Sequence, residues 1–220
     1  MSGVESRIPI GNDRETSRRS FLKTAAWTGA ALSAMGIGGF GVAVSRADAQ
    51  AAQYESYQGL GDAAILQFAY QLELLEGTFY DEGVNAGLFV DAFLDQIVAI
   101  RDHEMAHADA IAKTLGQLGA EVPASPQFTF PDGSFGDAAT FLELAATFEP
   151  VGIGAYQGAA PALESADILA AAISIHNAEC QHRCAINILN LANPPNDLAF
   201  EEALALSDVQ DAVAPFGITG

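Results

Sequence analysis

The segments Ile100–Ile111, IRDHEMAHADAI, and Ser174–Ile186, SIHNAECQHRCAI, together contain all four histidines of this 220-residue chain. Each segment has a glutamate three residues before a histidine: Glu104 with His107, and Glu179 with His182. Side chains three residues apart share one face of a helix, so each pair can bind an ion from one side. With 14 glutamates in the chain, chance predicts about 0.25 such pairs. Two pairs therefore indicate a common role.

A second spacing repeats in the segments that precede these pairs. Glu73 lies 31 residues before Glu104, and Glu149 lies 30 residues before Glu179. A tyrosine follows each of these two glutamates by seven residues, Tyr80 after Glu73 and Tyr156 after Glu149. Seven residues make about two helical turns, so each tyrosine points the same way as its glutamate. The two halves of the chain thus carry the same pattern.

Apolar residues at spacings of three and four predict four helices. The predicted helices run over about Asp62–Glu82, Leu88–Leu118, Asp137–Ala159 and Ser165–Ala192. The second and third are separated by AEVPASPQFTFPDGSFGD, which has three prolines and is long for a connection within one domain. Two helical pairs joined by a long crossover predict an all-α four-helix bundle. Only Phe128–Phe130 resembles a strand.

The N-terminus has the pattern of an export signal. SRRSFLK at 17–23 is followed by a Gly/Ala-rich run over 24–44 and by a small-x-small site at 47–49. These features resemble a twin-arginine signal, whose partner would be the twin-arginine translocon. We therefore predict a signal peptide over residues 1–49, a bundle over 50–196, an acidic tail over 197–220 with one short helix, and an extracytoplasmic location. The alternative is a retained membrane anchor, since the run reaches the spanning length of about 20 residues.

Charge excludes several classes of partner. Residues 1–49 hold six of the nine Lys/Arg and four of the 28 Asp/Glu, so the rest of the chain has three basic residues against 24 acidic ones, a net charge of −21. Such a surface repels nucleic acid and anionic lipid. An acidic surface nearly free of lysine resembles proteins of salt-loving microbes, where salt screens self-repulsion.

The repeated pattern, Glu-x6-Tyr on one helix and Glu-x-x-His on the next, resembles the ferritin-like di-iron carboxylate superfamily. Twin-arginine-exported ferritin-like domain proteins, relatives of desiccation-related proteins, are the nearest resemblance, which covers about Asp62 to Ala192. The resemblance implies two metal ions with terminal, bridging and imidazole ligands and two tyrosines that donate hydrogen bonds to carboxylates. The implied terminal ligands are Glu73 and Glu149, the bridges Glu104 and Glu179, and the imidazoles His107 and His182. The implied donors, Tyr80 and Tyr156, are also the candidate catalytic residues.

Charge balance also favours a pair of divalent ions. Four buried carboxylates carry a charge of −4, which is costly to bury unpaired and which two divalent ions would neutralise. Oxygen-rich ligation with two imidazoles suits iron or manganese, and the absence of thiolate pairs with metal spacing argues against a structural zinc site.

Several positions have alternative interpretations. Glu76 lies three residues after Glu73 on nearly the same helical face and is an alternative ligand, although the shared Glu-x6-Tyr spacing favours Glu73. Tyr80 and Tyr156 are alternatively ordinary core tyrosines. Pro150 directly follows Glu149 and predicts a kink or a widened turn there.

The remaining histidines and the cysteines are expected to have other roles. His103 and His176 are interpreted as satisfied or surface histidines rather than ligands. Cys180 and Cys184 are interpreted as buried free thiols, because a disulfide four residues apart would strain the helix. Some ferritin-like proteins have a carboxylate directly before the helical glutamate; here His103 and Ala178 occupy those positions.

Two functional classes follow. In the first, paired iron or manganese ions react with oxygen or peroxide, as in ferroxidases, peroxidases and manganese catalases. In the second, the bundle is a non-catalytic stress- or desiccation-protective module with a structural or vestigial metal site. A homo-oligomeric storage cage is a further possibility that a single sequence does not test.

Overall fold

The computed structural model describes residues 53–218, so the predicted signal peptide lies outside the described residues. The helices are α1 (Asp62–Asn85), α2 (Asp91–Leu118), α3 (Ala138–Ala159), α4 (Ala166–Leu189) and α5 (Leu206–Val213), with short 3-10 helices at Ala160–Ala162 and Ala214–Phe216. Residues 53–218 contain no strand, and Phe128–Phe130 is irregular. The all-α prediction is confirmed.

Local sequence signals explain several of the helix ends. The Ser165 side chain accepts a hydrogen bond from the Ile168 amide at 3.4 Å, as expected for a residue capping α4. Gly119 ends α2 in the left-handed conformation with φ 69°. Helix α2 begins at Asp91 rather than near Leu88, because Val90 is extended.

The end of α4 differs from its predicted position, whereas α3 spans its predicted range. Helix α4 ends at Leu189, three residues before the predicted Ala192, and Leu191 adopts a φ of 60°. Helix α3 continues through Pro150 from Ala138 to Ala159. The missing proline N–H costs one helical hydrogen bond without ending the helix.

One end of the bundle is filled by phenylalanines. The rings of Phe79 and Phe141 stack with their centroids 4.4 Å apart, and Gly83 leaves room for them, since a Cβ there would lie 2.2 Å from the Phe141 ring. Rings from the α1–α2 connection, α3, the crossover and the second 3-10 helix complete this aromatic cluster. Its members are Phe79, Phe89, Phe130, Phe135, Phe141, Phe148 and Phe216.

The segment after Asn196 packs against the bundle. The Leu204 amide donates to the Gly154 carbonyl at 3.0 Å, and a Cβ at Gly154 or Gly158 would collide with Leu204. Arg183 on α4 holds the same segment through Asp197 and Glu201, at 2.6 and 3.0 Å. None of the described helices combines the length and the apolar character that crossing a bilayer requires.

Candidate metal centre

The six predicted ligand side chains meet in the middle of the bundle, with contributions from each of its four long helices. They are Glu73 on α1, Glu104 and His107 on α2, Glu149 on α3, and Glu179 and His182 on α4. The four carboxylates are 0–1% exposed. Each of the four long helices places its glutamate on the same face as its buried apolar residues. The middle of the bundle core is therefore acidic.

Three carboxylates surround the inner nitrogen of His107. His107 Nδ1 lies 3.1 Å from Glu73 Oε2, 3.3 Å from Glu104 Oε2 and 3.1 Å from Glu179 Oε1. One N–H cannot donate well to three oxygens at once. We call the group formed by His107, Glu73, Glu104 and Glu179 the His107 half.

His182 has a corresponding environment. His182 Nδ1 lies 2.7 Å from Glu104 Oε1, 3.3 Å from Glu179 Oε2 and 3.9 Å from Glu149 Oε2. We call the group formed by His182, Glu149, Glu104 and Glu179 the His182 half. Both halves thus consist of one imidazole nitrogen and three carboxylates.

Glu104 and Glu179 belong to both halves through different oxygens. Glu104 directs Oε2 to His107 and Oε1 to His182, while Glu179 directs Oε1 to His107 and Oε2 to His182. A carboxylate that places one oxygen in each of two adjacent sites has the arrangement of a bridge. Glu73 and Glu149 each direct one oxygen to a single half.

The other oxygen of each single-half glutamate accepts a hydrogen bond from a buried tyrosine. Tyr156 donates to Glu73 Oε1, and Tyr80 donates to Glu149 Oε1. Each tyrosine therefore steadies the glutamate of the opposite helical pair, across α1 and α3. Such outer hydrogen bonds fix the direction of a ligand.

Burial and mutual repulsion set the protonation of this group. Burial raises the pKa of Glu73 and Glu149 well above the ordinary value, and the neighbouring Glu179 and Glu104 raise the pKa of both further. Burial alone would also raise the pKa of Glu104, but the adjacent imidazoles of His107 and His182 outweigh it and lower that pKa to about 2.

Both imidazoles bind protons strongly in this acidic surrounding. Desolvation would lower their pKa values, but the adjacent carboxylates raise the pKa of His107 to about 12 and that of His182 to about 10. Without metal, protons on these imidazoles offset part of the repulsion among the carboxylates.

The side chains present fit a pair of hard divalent cations. Glu104 Oε1, Glu149 Oε2 and Glu179 Oε1 are buried and have no hydrogen-bond partner among the described residues. Although Glu104 Oε1 is only 2.7 Å from His182 Nδ1, the contact is not aligned as a hydrogen bond. Unpaired buried carboxylate oxygens are costly, and a cation would satisfy them. Two groups of three carboxylates and one imidazole suit iron or manganese.

Glu76, the alternative to Glu73, is also buried but belongs to neither group of side chains that could hold a metal ion. Its carboxylate packs against α3 at Gly152, where a Cβ would be 3.1 Å from Glu76 Oε1. Burial and the nearby Glu179 and Glu104 raise its pKa, which favours the neutral acid. The position of Glu73 next to His107 thus favours Glu73 as the ligand.

His103 has a contact that the sequence did not predict. Its Nδ1 lies 2.9 Å from His182 Nε2, and the two rings stack with centroids 5.2 Å apart. The only sequence signal was its place directly before Glu104, where some ferritin-like proteins have a carboxylate. Ala178 offers no such partner to His107. Cys180 and Cys184 are free thiols, as expected, and half-buried rather than buried; Cys180 Sγ lies 3.9 Å from His176 Nδ1.

Comparison with known proteins agrees with this arrangement. A family model described as a ferritin-like domain matches residues 61–191, which is more than half of the chain. A search of curated proteins gave no match.

Proposed function

Because this chain belongs to the ferritin-like family, we propose that its buried glutamates and histidines hold two divalent metal ions, iron or manganese. The His107 half would hold one ion and the His182 half the other, with Glu104 and Glu179 shared. Bound in this way, a metal pair supplies electron exchange with oxygen or peroxide, for redox chemistry or metal handling.

The observation that carries this proposal is the division of each shared carboxylate between the halves. Glu104 and Glu179 each direct one oxygen to His107 and the other to His182. A purely structural ion-pair network has no need of this geometry, since each histidine could bind one carboxylate alone.

The protein's own contribution to metal binding is the release of protons. The Nδ1 atoms of His107 and His182 must lose their protons before they can donate a lone pair. Glu73 and Glu149 would lose theirs in the same step, while Tyr156 and Tyr80 keep donating to the oxygens that face away from the ions. Metal uptake is therefore expected to release protons and to strengthen as pH rises.

We propose further that the chain is exported by the twin-arginine pathway and acts outside the cytoplasm. The support for this is the sequence SRRSFLK with its Gly/Ala-rich continuation. The strong negative charge fits a high-salt environment. A role in stress or desiccation protection is the alternative to redox catalysis.

Metal analysis of the purified protein tests the proposal. We expect two ions per chain in the wild type and loss of both in Glu104→Ala, whereas Glu143→Ala, an exposed glutamate on α3, should keep both. A wild type that binds no iron or manganese would refute the metal centre.

Oxygen and peroxide consumption by the loaded protein then separates the two classes. Consumption that disappears in Glu104→Ala and persists in Glu143→Ala supports the redox function. Two bound ions without any consumption would support the non-catalytic module.

A further inference from the structure

A cavity of about 290 Å³ lies between α2 and α4 and reaches Tyr156. Its walls include Leu66 from α1, Ile111 from α2 and Ile168 from α4, all of which are buried. We call it the Tyr156 cavity. Its volume is near the small end of ligand sites, about 300 Å³.

Tyr156 and Ala172 connect this cavity with two smaller ones. Cavities of about 30 and 150 Å³ are also lined by both residues. Tyr156 in turn donates a hydrogen bond to Glu73. A molecule in the Tyr156 cavity is thus separated from the acidic centre by one side chain.

The lining determines what kind of molecule can bind. Most of the wall is apolar, and the polar side chains, among them Thr114 and Gln117, can serve only a few hydrogen bonds. Among residues 53–218, no basic side chain lines the cavity, whereas the Asp167 carboxylate does. An anion would meet this carboxylate and the negative charge of the whole chain.

We propose that the Tyr156 cavity binds a small, uncharged, largely apolar molecule with one hydrogen-bonding end. Burial of the apolar part against Leu66, Ile111 and Ile168 supplies the affinity. The proposal that a molecule binds depends only on the cavity. A role for that molecule as a substrate of the metal centre rests on the proposed function.

A matched pair of probes tests the chemical class. 4-Ethylphenol is neutral at pH 7 and has an apolar body with one hydroxyl, whereas 4-ethylbenzoate has a similar shape and a negative charge. In titrations followed by NMR, we expect the phenol to bind at least about tenfold more tightly than the benzoate. Equal binding of the two, or no binding of the phenol at millimolar concentration, would overturn the proposal.

Cavity-filling variants test the location. Ala171 on α4 and Ala110 on α2 line the cavity and are exposed, so a phenylalanine at either position should fill space without disturbing the core. We expect Ala171→Phe and Ala110→Phe to weaken phenol binding at least about tenfold. Ala170→Phe, an exposed neighbour outside the cavity, should leave the affinity unchanged. Unchanged affinity in both filling variants would place the phenol elsewhere and refute the proposal.

The experiment also distinguishes this inference from the metal proposal. The titrations are made with the purified protein both as loaded and after chelation, and metal content is measured separately. Phenol binding by a chain that takes up no metal would leave the cavity valid and refute the metal centre. Two bound ions without phenol binding would support the metal centre and refute the cavity proposal.

Discussion

Tyr80 and Tyr156 make the same hydrogen bond on opposite sides of the centre, but their surroundings differ. Tyr80 is completely buried, with its ring 5.3 Å from that of Phe79 and 5.8 Å from that of Phe141. Tyr156 is 8% exposed and lines the Tyr156 cavity. One side of the centre is closed by aromatic packing, whereas the other side, which we call the open side, borders a cavity.

The histidines differ in a related way. The His182 side chain is 3% exposed and its outer nitrogen contacts His103, whereas the His107 side chain is 15% exposed. The two halves themselves are alike, because each combines one imidazole nitrogen with three carboxylates. Their neighbours differ, and we expect solvent to reach the His107 half more readily than the His182 half.

Metal removal should have the largest effect, and it should act on both halves. In the metal-free protein, the pKa values of about 12 for His107 and 10 for His182 exceed the ordinary 6.5, so their stabilisation is complete below pH 6.5 and is lost as pH rises towards those values. The raised pKa values of Glu73 and Glu149 act in the same direction above about pH 4.5. Glu104 opposes this trend only at acidic pH, below its ordinary value.

We therefore expect chelation to lower the melting temperature much more at pH 9 than at pH 6. Thermal melts of chelated and loaded protein at both pH values measure this difference. Glu104→Ala, which is expected to bind no metal, serves as the control and should show no effect of chelator. An equal loss at both pH values in the wild type would contradict the proton-for-metal exchange.

The closed and open sides should also differ in their tolerance of a smaller side chain. Ile97 is fully buried in the core that includes the aromatic cluster, while Ile168 is 7% exposed and borders the Tyr156 cavity. We expect Ile97→Ala to cost about 4 kcal/mol of unfolding free energy and Ile168→Ala about 2 kcal/mol. Urea unfolding of the metal-free variants measures both. Equal costs would mean that the two sides are packed equally well.

The sequence predicted which side chains come together in the bundle core, because these residue types recur at helical spacings. Glu104, His107, Glu179 and His182 stood out by spacing alone, and α2 and α4 place them as that spacing implied. The rest of the centre required contacts between distant segments. No local pattern indicates that His103 reaches His182 across 79 residues, or that the segment after Asn196 packs on Gly154 and Gly158.

The fold shows the same division between local and long-range information. Gly119 and Ser165 mark helix ends through local conformation and capping, so these ends were predictable. The passage of α3 through Pro150 agrees with the predicted range Asp137–Ala159, whereas α2 begins at Asp91, three residues after the predicted start at Leu88. The difference between the two sides of the centre likewise depends on contacts between distant segments, which no local sequence pattern predicts.

His103 should strengthen metal binding in the His182 half only. By accepting the Nε2–H of His182, His103 Nδ1 would leave the lone pair on His182 Nδ1, which faces Glu104 and Glu179. We expect His103→Ala to weaken one of two binding steps about 10-fold to 100-fold and to leave the other unchanged. Metal titration measures both steps. His103→Asn, which retains an acceptor, should restore part of the loss; equal weakening of both steps would contradict a specific effect on His182.

The tyrosine hydroxyls offer the finest test of the asymmetry between the two sides. Tyr80→Phe leaves Glu149 Oε1 without its donor in a closed aromatic surrounding, so we expect a loss of about 1–2 kcal/mol of unfolding free energy. Tyr156→Phe removes the donor to Glu73 Oε1, but water entering from the Tyr156 cavity can replace it, so the loss should stay below about 1 kcal/mol. Urea unfolding of the metal-loaded variants measures both values, and Tyr54→Phe, outside the centre, controls for the loss of a hydroxyl. A larger loss in Tyr156→Phe than in Tyr80→Phe would show that solvent does not reach the Glu73 side, and the open side would have to be sought elsewhere.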